Sequence, residues 1–259
     1  MYIAIDVGNS NIVVGILKKG SNEILHSLRI STYPYGTSDE LMLKLNAFLK
    51  YSGLQLTDLH GAIVSSVVPV QSEIIAESLQ KLKISPLYYA DAKAPLSFII
   101  SVPQPEQVGA DRLVNAEAAL KIYGSPCIVL DSCTATTLCA INEKNQYLGG
   151  AILPGLELSM QALAQKTAKL FTVDLTPPKH AIGNNTQDAI RSGLLFGYSE
   201  MLTGLIERFK SELHTDQKIK VIATGGISSR LKDLLPSVDY FDPDLTLKGL
   251  GFIYESISN

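Results

Sequence analysis

The chain has 259 residues, 46% of them hydrophobic and 18% charged, and a formal net charge of −3 at pH 7. Such a balance gives no electrostatic basis for binding nucleic acid or an anionic membrane surface, both of which favour basic stripes. No apolar run approaches the roughly 20 residues that span a bilayer, and the length suits one large domain or two small ones with sizeable cores.

The N-terminal residues enter an apolar strand at once, with no basic segment before it, which argues against a signal peptide and makes the cytosol the expected compartment. The stretch from Ile3 to Leu17 reads as strand, tight polar turn and returning strand. One carboxylate, one glycine, two amides and a hydroxyl fall within Asp6-Val7-Gly8-Asn9-Ser10-Asn11. Gly8 can adopt backbone conformations closed to other residues and lets a ligand approach the main chain. Backbone N–H groups and the Ser10 hydroxyl would converge on phosphate oxygens. Asp6 would repel a bare phosphate, so a cation or its water shell is expected between them. An ordinary Gly-Asn-Ser hairpin turn is the plainer alternative.

Glu23–Ile30 alternates as a third strand, and the short connections imply an antiparallel trio. Leu41, Leu45, Phe48 and Leu49 recur at helical spacing within 39–51, with Ser38 as N-cap. Gly61–Val68 is an apolar strand ending at Pro69, 71–82 a helix, and Pro86–Tyr89 an extended segment. A helix over 114–123 links this half to a second with a similar plan. There Pro126–Asp131 is an apolar strand delivering an aspartate into the hydroxyl-rich turn Ser132-Cys133-Thr134-Ala135-Thr136-Thr137. An apolar return through 138–141, a third strand over 147–152, helices over 156–170 and 188–211, and a strand over 218–224 follow. The repeated strand-Asp-turn unit suggests an internal duplication, against chance resemblance of two such units. The expected fold class is α/β, with mixed sheets covered by helices and a cleft between halves spanning 1–113 and 114–259. Residues 245–257 form an amphipathic helix able to pack on either half.

Cys127, Cys133 and Cys139 are odd in number and evenly spaced, which argues against a disulfide framework and matches no zinc pattern; small buried apolar thiols are expected. His26, His60, His180 and His214 carry no motif. No Walker-type glycine loop occurs. Asn9, Ser10 and Thr134 are the phosphate-binding candidates, with Asp6 and Asp131 managing cations. Thr224-Gly225-Gly226 would let a flat ring lie on bare backbone, or would simply turn the chain. In Val108-Gly109-Ala110-Asp111-Arg112, directly before the linking helix, Arg112 can grip a carboxylate bidentately. Asp111 can accept a proton in phosphoryl transfer, where positioning matters more than basicity. Capping of the following helix is its plainer role.

Taken together, Asp6–Asn11, Ser65-Ser-Val-Val-Pro69, Val108–Arg112, Asp131-x-x-Thr-Ala-Thr-Thr137, Tyr147-Leu-Gly-Gly-Ala-Ile152, Pro154-Gly155, Ile182-Gly-Asn-Asn-Thr186, Ala223-Thr-Gly-Gly226 and Leu245-Thr-Leu-x-Gly249 give the chain a specific resemblance. It resembles the type III pantothenate kinases, which phosphorylate pantothenate at the first step of coenzyme A synthesis. The resemblance implies two ribonuclease-H-like domains of the actin, acetate-kinase and Hsp70 type, and a homodimer. It implies Asp111 as proton acceptor and Gly109, Ala110, Asp111, Arg112 and Thr186 as pantothenate contacts. Asp6, Val7, Gly8, Asn9, Ser10, Asn11 and Thr134 would bind ATP with Mg2+, and Asp131 a monovalent cation, K+ or NH4+. The chain departs from the family pattern in having Cys133 for a glycine, Cys139 for an aspartate, and Val102-Pro-Gln-Pro105 for Tyr-x-Asn-Pro. Those departures motivate a second expectation, a non-catalytic nucleotide-binding or regulatory relative, and a third is a kinase of another small hydroxy acid.

Overall fold

The computed structural model describes residues 1–226 and 231–258. The chain forms two compact units, Met1–Ile122 with Asp244–Asn259, and Tyr123–Pro243. The first contains β1 (Tyr2–Val7), β2 (Asn11–Lys18), β3 (Glu23–Ser31), α1 (Ser38–Tyr51), β4 (Ala62–Ser66), α2 (Pro69–Lys81), β5 (Leu87–Tyr89), the two-residue β6 (Ile99–Ile100) and α3 (Ala110–Tyr123). The second contains β7 (Cys127–Ser132), β8 (Ala135–Ile141), β9 (Gln146–Pro154), α4 (Leu156–Lys166), α5 (Thr186–Glu212), β10 (Lys220–Thr224) and β11 (Tyr240–Phe241). The final helix, α6 (Leu245–Ser258), belongs to the first unit.

The first unit's five-stranded sheet has the order β3-β2-β1-β4-β5. β1 runs antiparallel to β2 and parallel to β4, with Asp6 beside Ser65. A strand covered on both faces needs apolar residues at successive positions, which is why Tyr2-Ile3-Ala4-Ile5 shows no polar alternation. Ile3, Ile5 and Val7 share a core with Leu41, Leu45 and Leu49 of α1 and Ile75 and Leu79 of α2. Tyr2 and Ala4 share the other core with Val114 of α3 and Leu247, Leu250, Ile253 and Tyr254 of α6. Tyr2 and Tyr254 stack with ring centroids 3.9 Å apart.

In the second unit the strands lie in the order β11-β10-β7-β8-β9. β7 is antiparallel to β8 and parallel to β10, and β10 is parallel to β11. This repeats the first sheet strand for strand: an antiparallel trio followed by parallel neighbours. The likeness extends to β1 and β7 themselves. In both, an aspartate is the fifth residue and the single half-buried position of an otherwise buried strand.

Several bounds differ from those expected, each for a local reason. Thr37 rather than Ser38 caps α1; its hydroxyl accepts from the Glu40 N–H at 3.2 Å while the Glu40 carboxylate accepts from the Thr37 N–H at 2.8 Å. Pro69 starts α2, where its missing N–H is harmless. The motif 108–112 does not precede the linking helix but runs into it, since α3 begins at Ala110. α4 stops at Lys166, where the Thr167 hydroxyl donates to the Leu163 carbonyl and accepts from the Leu170 N–H in place of another turn. The units also differ from the halves 1–113 and 114–259, because the apolar face of α6 covers β1 and β4. Of the three thiols, Cys127 and Cys139 are buried and Cys133 is exposed, contrary to the expectation for all three.

Gly249 is where α6 meets α3: a Cβ there would lie 2.1 Å from the Val114 carbonyl oxygen. Gly249→Ala is therefore expected to lower stability by about 1–3 kcal/mol through overpacking, measured as a lower urea midpoint at unchanged m-value.

Candidate active site

The turn between β1 and β2 is built on main-chain bonds. The Gly8 N–H donates to the Asn11 carbonyl at 3.0 Å, and the Thr32 N–H to the Ser10 carbonyl at 3.0 Å. The Thr32 hydroxyl donates to the Gly8 carbonyl at 2.7 Å, and the Gln71 Nε2 donates to the Thr32 carbonyl at 3.0 Å. Thr32 and Gln71 are buried, so this chain of bonds ties the turn to β3 and α2 from within. Asn9 and Ser10 stand exposed while Gly8 and Asn11 are half-buried. Polar side chains thus surround a fixed backbone. Neither Thr32 nor Gln71 was a sequence candidate; a threonine just past a strand and a glutamine at the start of a helix carry no spacing signal.

Asp6 lies on the sheet face of Tyr2 and Ala4, by the two-residue period of a strand. That face packs on Val114, and Asp111 lies one turn earlier on α3. The Asp111 Oδ1 accepts from the backbone N–H of Arg112 at 2.8 Å. Gly109 makes this possible, since a Cβ there would sit 2.5 Å from that same oxygen. Burial pushes the Asp111 carboxyl above its ordinary value; the Arg112 N–H and guanidinium charge pull the other way without cancelling it. Asp111 therefore takes the helix-start acceptor role, and its carboxylate is at the same time of raised basicity. Behind it, Glu117 is fully buried and accepts from the Ser97 N–H at 2.8 Å and its hydroxyl at 2.7 Å.

In the second unit, Asp131 ends its strand as Asp6 does, beside Thr224. The Cys133 thiol donates to the Asp131 Oδ1 at 3.0 Å. Gly225 has φ +90°, and a Cβ there would lie 2.5 Å from the same oxygen. Gly225 thus permits close approach to Asp131, while among the described residues nothing lies within 4 Å of where a Gly226 Cβ would be. The Gly155 N–H donates to the Thr134 carbonyl at 3.0 Å, and a Gly155 Cβ would strike the Cys133 and Thr134 carbonyls at 2.3 and 2.4 Å. Below the turn, the Tyr198 hydroxyl bonds to the Thr136 Oγ1 at 2.5 Å and the Pro154 carbonyl at 3.2 Å. Thr134 itself is exposed above this support.

Thr186 is the exposed first residue of α5. Asn185 caps that helix, its Oδ1 accepting from the Asp188 N–H at 2.9 Å. Arg191 donates to Asp188 at 3.2 Å and to Asp174. Gly183 lies against the first turn, where a Cβ would come within 2.3 Å of the Ala189 nitrogen. The Ile182–Thr186 motif thus defines a helix start. Among the described residues no group of three or more His, Cys, Asp or Glu side chains gathers as a metal cage, and no helix is long and apolar enough to cross a membrane.

This architecture has close counterparts among solved structures. A Campylobacter jejuni protein described as a Baf family transcriptional activator superposes with TM-score 0.63 at 19% identity, covering 99% of both chains. The Acidaminococcus fermentans (R)-2-hydroxyglutaryl-CoA dehydratase component A gives 0.57 at 16% identity, over 100% of this chain and 99% of that one. An inorganic polyphosphate/ATP-glucomannokinase from Arthrobacter sp. gives 0.52 at 15% identity, over 100% and 99%. With the duplicated mixed sheets, these neighbours show the fold class: an α/β protein built on two mixed sheets. Within that class, the family model for type III pantothenate kinase matches residues 2–208. The chain belongs to the type III pantothenate kinase family.

Because the folded pKa of Asp111 lies above its unfolded value, ionising it opposes folding. The cost is full above the folded pKa and disappears below the unfolded one. Asp111→Asn keeps an acceptor for the Arg112 N–H and removes that cost. It is expected to raise Tm at pH 7, with the advantage closing as pH falls toward 3.8, the ordinary value; thermal melts across pH test this.

Proposed function

We propose that the chain transfers the γ-phosphoryl group of ATP to the hydroxyl of pantothenate, giving ADP and 4′-phosphopantothenate, the first step of coenzyme A synthesis. The observation that carries this reading is the half-buried Asp111 carboxylate of raised pKa, set beside Arg112 at the start of α3 in a chain of this family. The pantothenate hydroxyl oxygen forms a bond to the γ-phosphorus as the bond from phosphorus to the β,γ-bridging oxygen breaks. The hydroxyl proton passes to Asp111, and ADP departs. Transfer of this kind depends mainly on alignment and charge neutralisation, so a carboxylate of modestly raised pKa is an adequate acceptor.

Arg112 would hold the pantothenate carboxylate, with Gly109, Ala110 and Thr186 completing the contacts. The backbone and side chains of 6–11, with Thr134, would take the nucleotide phosphates. A turn whose backbone is already fixed through its Gly8 and Ser10 carbonyls by Thr32, itself held by Gln71, costs little further ordering on binding. Mg2+ held through the phosphates, on the Asp6 side, would neutralise charge on the transferring group, as hard oxygen donors suit it. Asp131 would hold the monovalent cation, with the Cys133 thiol and Gly225 fixing its carboxylate. We place the enzyme in the cytoplasm as a homodimer on the family's pattern.

A second reading, a nucleotide-binding regulator without kinase activity, is favoured by the structural likeness to the Campylobacter protein described as a transcriptional activator. Pantothenate-dependent ADP release in a coupled assay separates the two. The wild type is expected to turn over and Asp111→Asn to lose at least about a hundredfold in kcat, the lower bound of a general-base contribution, while still binding ATP. ADP release with another hydroxy acid but not pantothenate would redirect the substrate assignment. Nucleotide binding with no release on any acceptor would support the regulator.

A further inference from the structure

The Ser65-Ser66-Val67-Val68-Pro69 motif has no role in the mechanism above, yet its two serines behave oppositely. The Ser66 hydroxyl donates to the Val68 carbonyl at 3.1 Å and accepts from the Val68 N–H at 3.2 Å and from the Ser72 hydroxyl at 2.7 Å. It organises the entry into α2. Ser65 is fully buried, and its hydroxyl has no hydrogen-bond partner among the described residues. A buried hydroxyl without a partner costs about 1–3 kcal/mol of desolvation, so a position that gains nothing for it would favour alanine.

Its placement says what the partner is. Ser65 pairs with Asp6 across the parallel β1–β4 ladder. Register partners in a parallel pair project from the same face, here the face of Ala4 and Ile63, packed on Val114. Both sit at the carboxyl ends of their strands, the edge where open α/β sheets receive ligands. The second unit repeats the pair: Thr224, also buried, stands beside Asp131 in the β7–β10 ladder. A hydroxyl at the shoulder of each strand-end aspartate is therefore part of the duplicated plan.

We infer that Ser65 is a ligand contact of the first turn, its hydroxyl donating to an oxygen of the bound Mg2+-nucleotide: a phosphate oxygen or a water in the cation's shell. The pairing suits that species. Asp6 can only accept from or coordinate it, whereas Ser65 supplies the hydrogen that an anionic phosphate or a polarised water oxygen accepts. This rests on the kinase reading only in requiring that a magnesium nucleotide binds; it does not require phosphoryl transfer.

The test is calorimetric titration of the wild type, Ser65→Ala and Ser66→Ala with a non-hydrolysable ATP analogue, with and without Mg2+, alongside thermal melts without ligand. Ser65→Ala is expected to weaken Mg2+-dependent nucleotide binding about tenfold, one charge-assisted hydrogen bond converted at 1.4 kcal/mol per decade. Its ligand-free Tm should be equal to or above the wild type's. Ser66→Ala should show the reverse pattern, a lower Tm with unchanged affinity. Unchanged nucleotide affinity in Ser65→Ala overturns the inference, whatever its Tm. Should Ser65→Ala fail to fold, Ser65→Cys, of similar volume and a poor donor, decides on the same criterion. A wild type that binds the analogue but transfers no phosphate would sink the kinase reading and leave this inference standing. A wild type that does not bind the magnesium nucleotide would sink both.

Discussion

Each sheet carries its central strand buried on both sides up to the fifth residue, and there places a carboxylate. A parallel pair such as β1–β4 or β7–β10 leaves no face for water, so the strand ends are the places where charge can stand. An ionised group next to a low-dielectric core is costly unless something meets it. That constraint explains why Asp6 and Asp131 sit on turns rich in N–H groups and hydroxyls. It also explains why glycine, with no Cβ to interfere, stands at 225 against Asp131.

The two turns are held by different means, although the strands that carry them match. The first is pinned from beneath by main-chain bonds to Thr32 and by Gln71 reaching in from α2. The second is clamped from the side, Gly155 pressing on the Cys133 and Thr134 carbonyls and Tyr198 joining Thr136 to Pro154. In both, buried hydrogen bonds fix the backbone while Asn9, Ser10 and Thr134 stay exposed. Cys133 fits this division, exposed itself but with its thiol on the Asp131 carboxylate.

Asp111 shows the tension between stability and chemistry most directly. Its half-buried position raises its pKa, which opposes folding at neutral pH and yet makes it a better proton acceptor. The bond from the Arg112 N–H offsets part of that cost and fixes the carboxylate at the helix start. The neighbours in structure share the fold at 19% identity or less, a level at which a fold hosts many chemistries. On the proposed function, what distinguishes this chain would be carried by 109–112 and by the turns, not by the sheets beneath them.

The antiparallel trio, the matching strand-Asp-turn units and the α/β class were legible in the sequence, because burial on both faces demands unbroken apolar runs and turns demand glycine and short polar residues. Asp6 and Asp131 stood out as candidates because a charge ending an apolar run is conspicuous, and Asp111 because it stands between Gly109 and Arg112 at a helix start. Only the tertiary structure decided that α6 packs with the first unit, because its apolar face could have covered either sheet and only the fit of Gly249 on Val114 and Tyr254 on Tyr2 selects one. Thr32, Gln71, Tyr198 and Ser65 likewise acquired meaning only in three dimensions. Each interacts with residues distant in the chain, and a lone hydroxyl or amide has no periodicity from which its partner could be read.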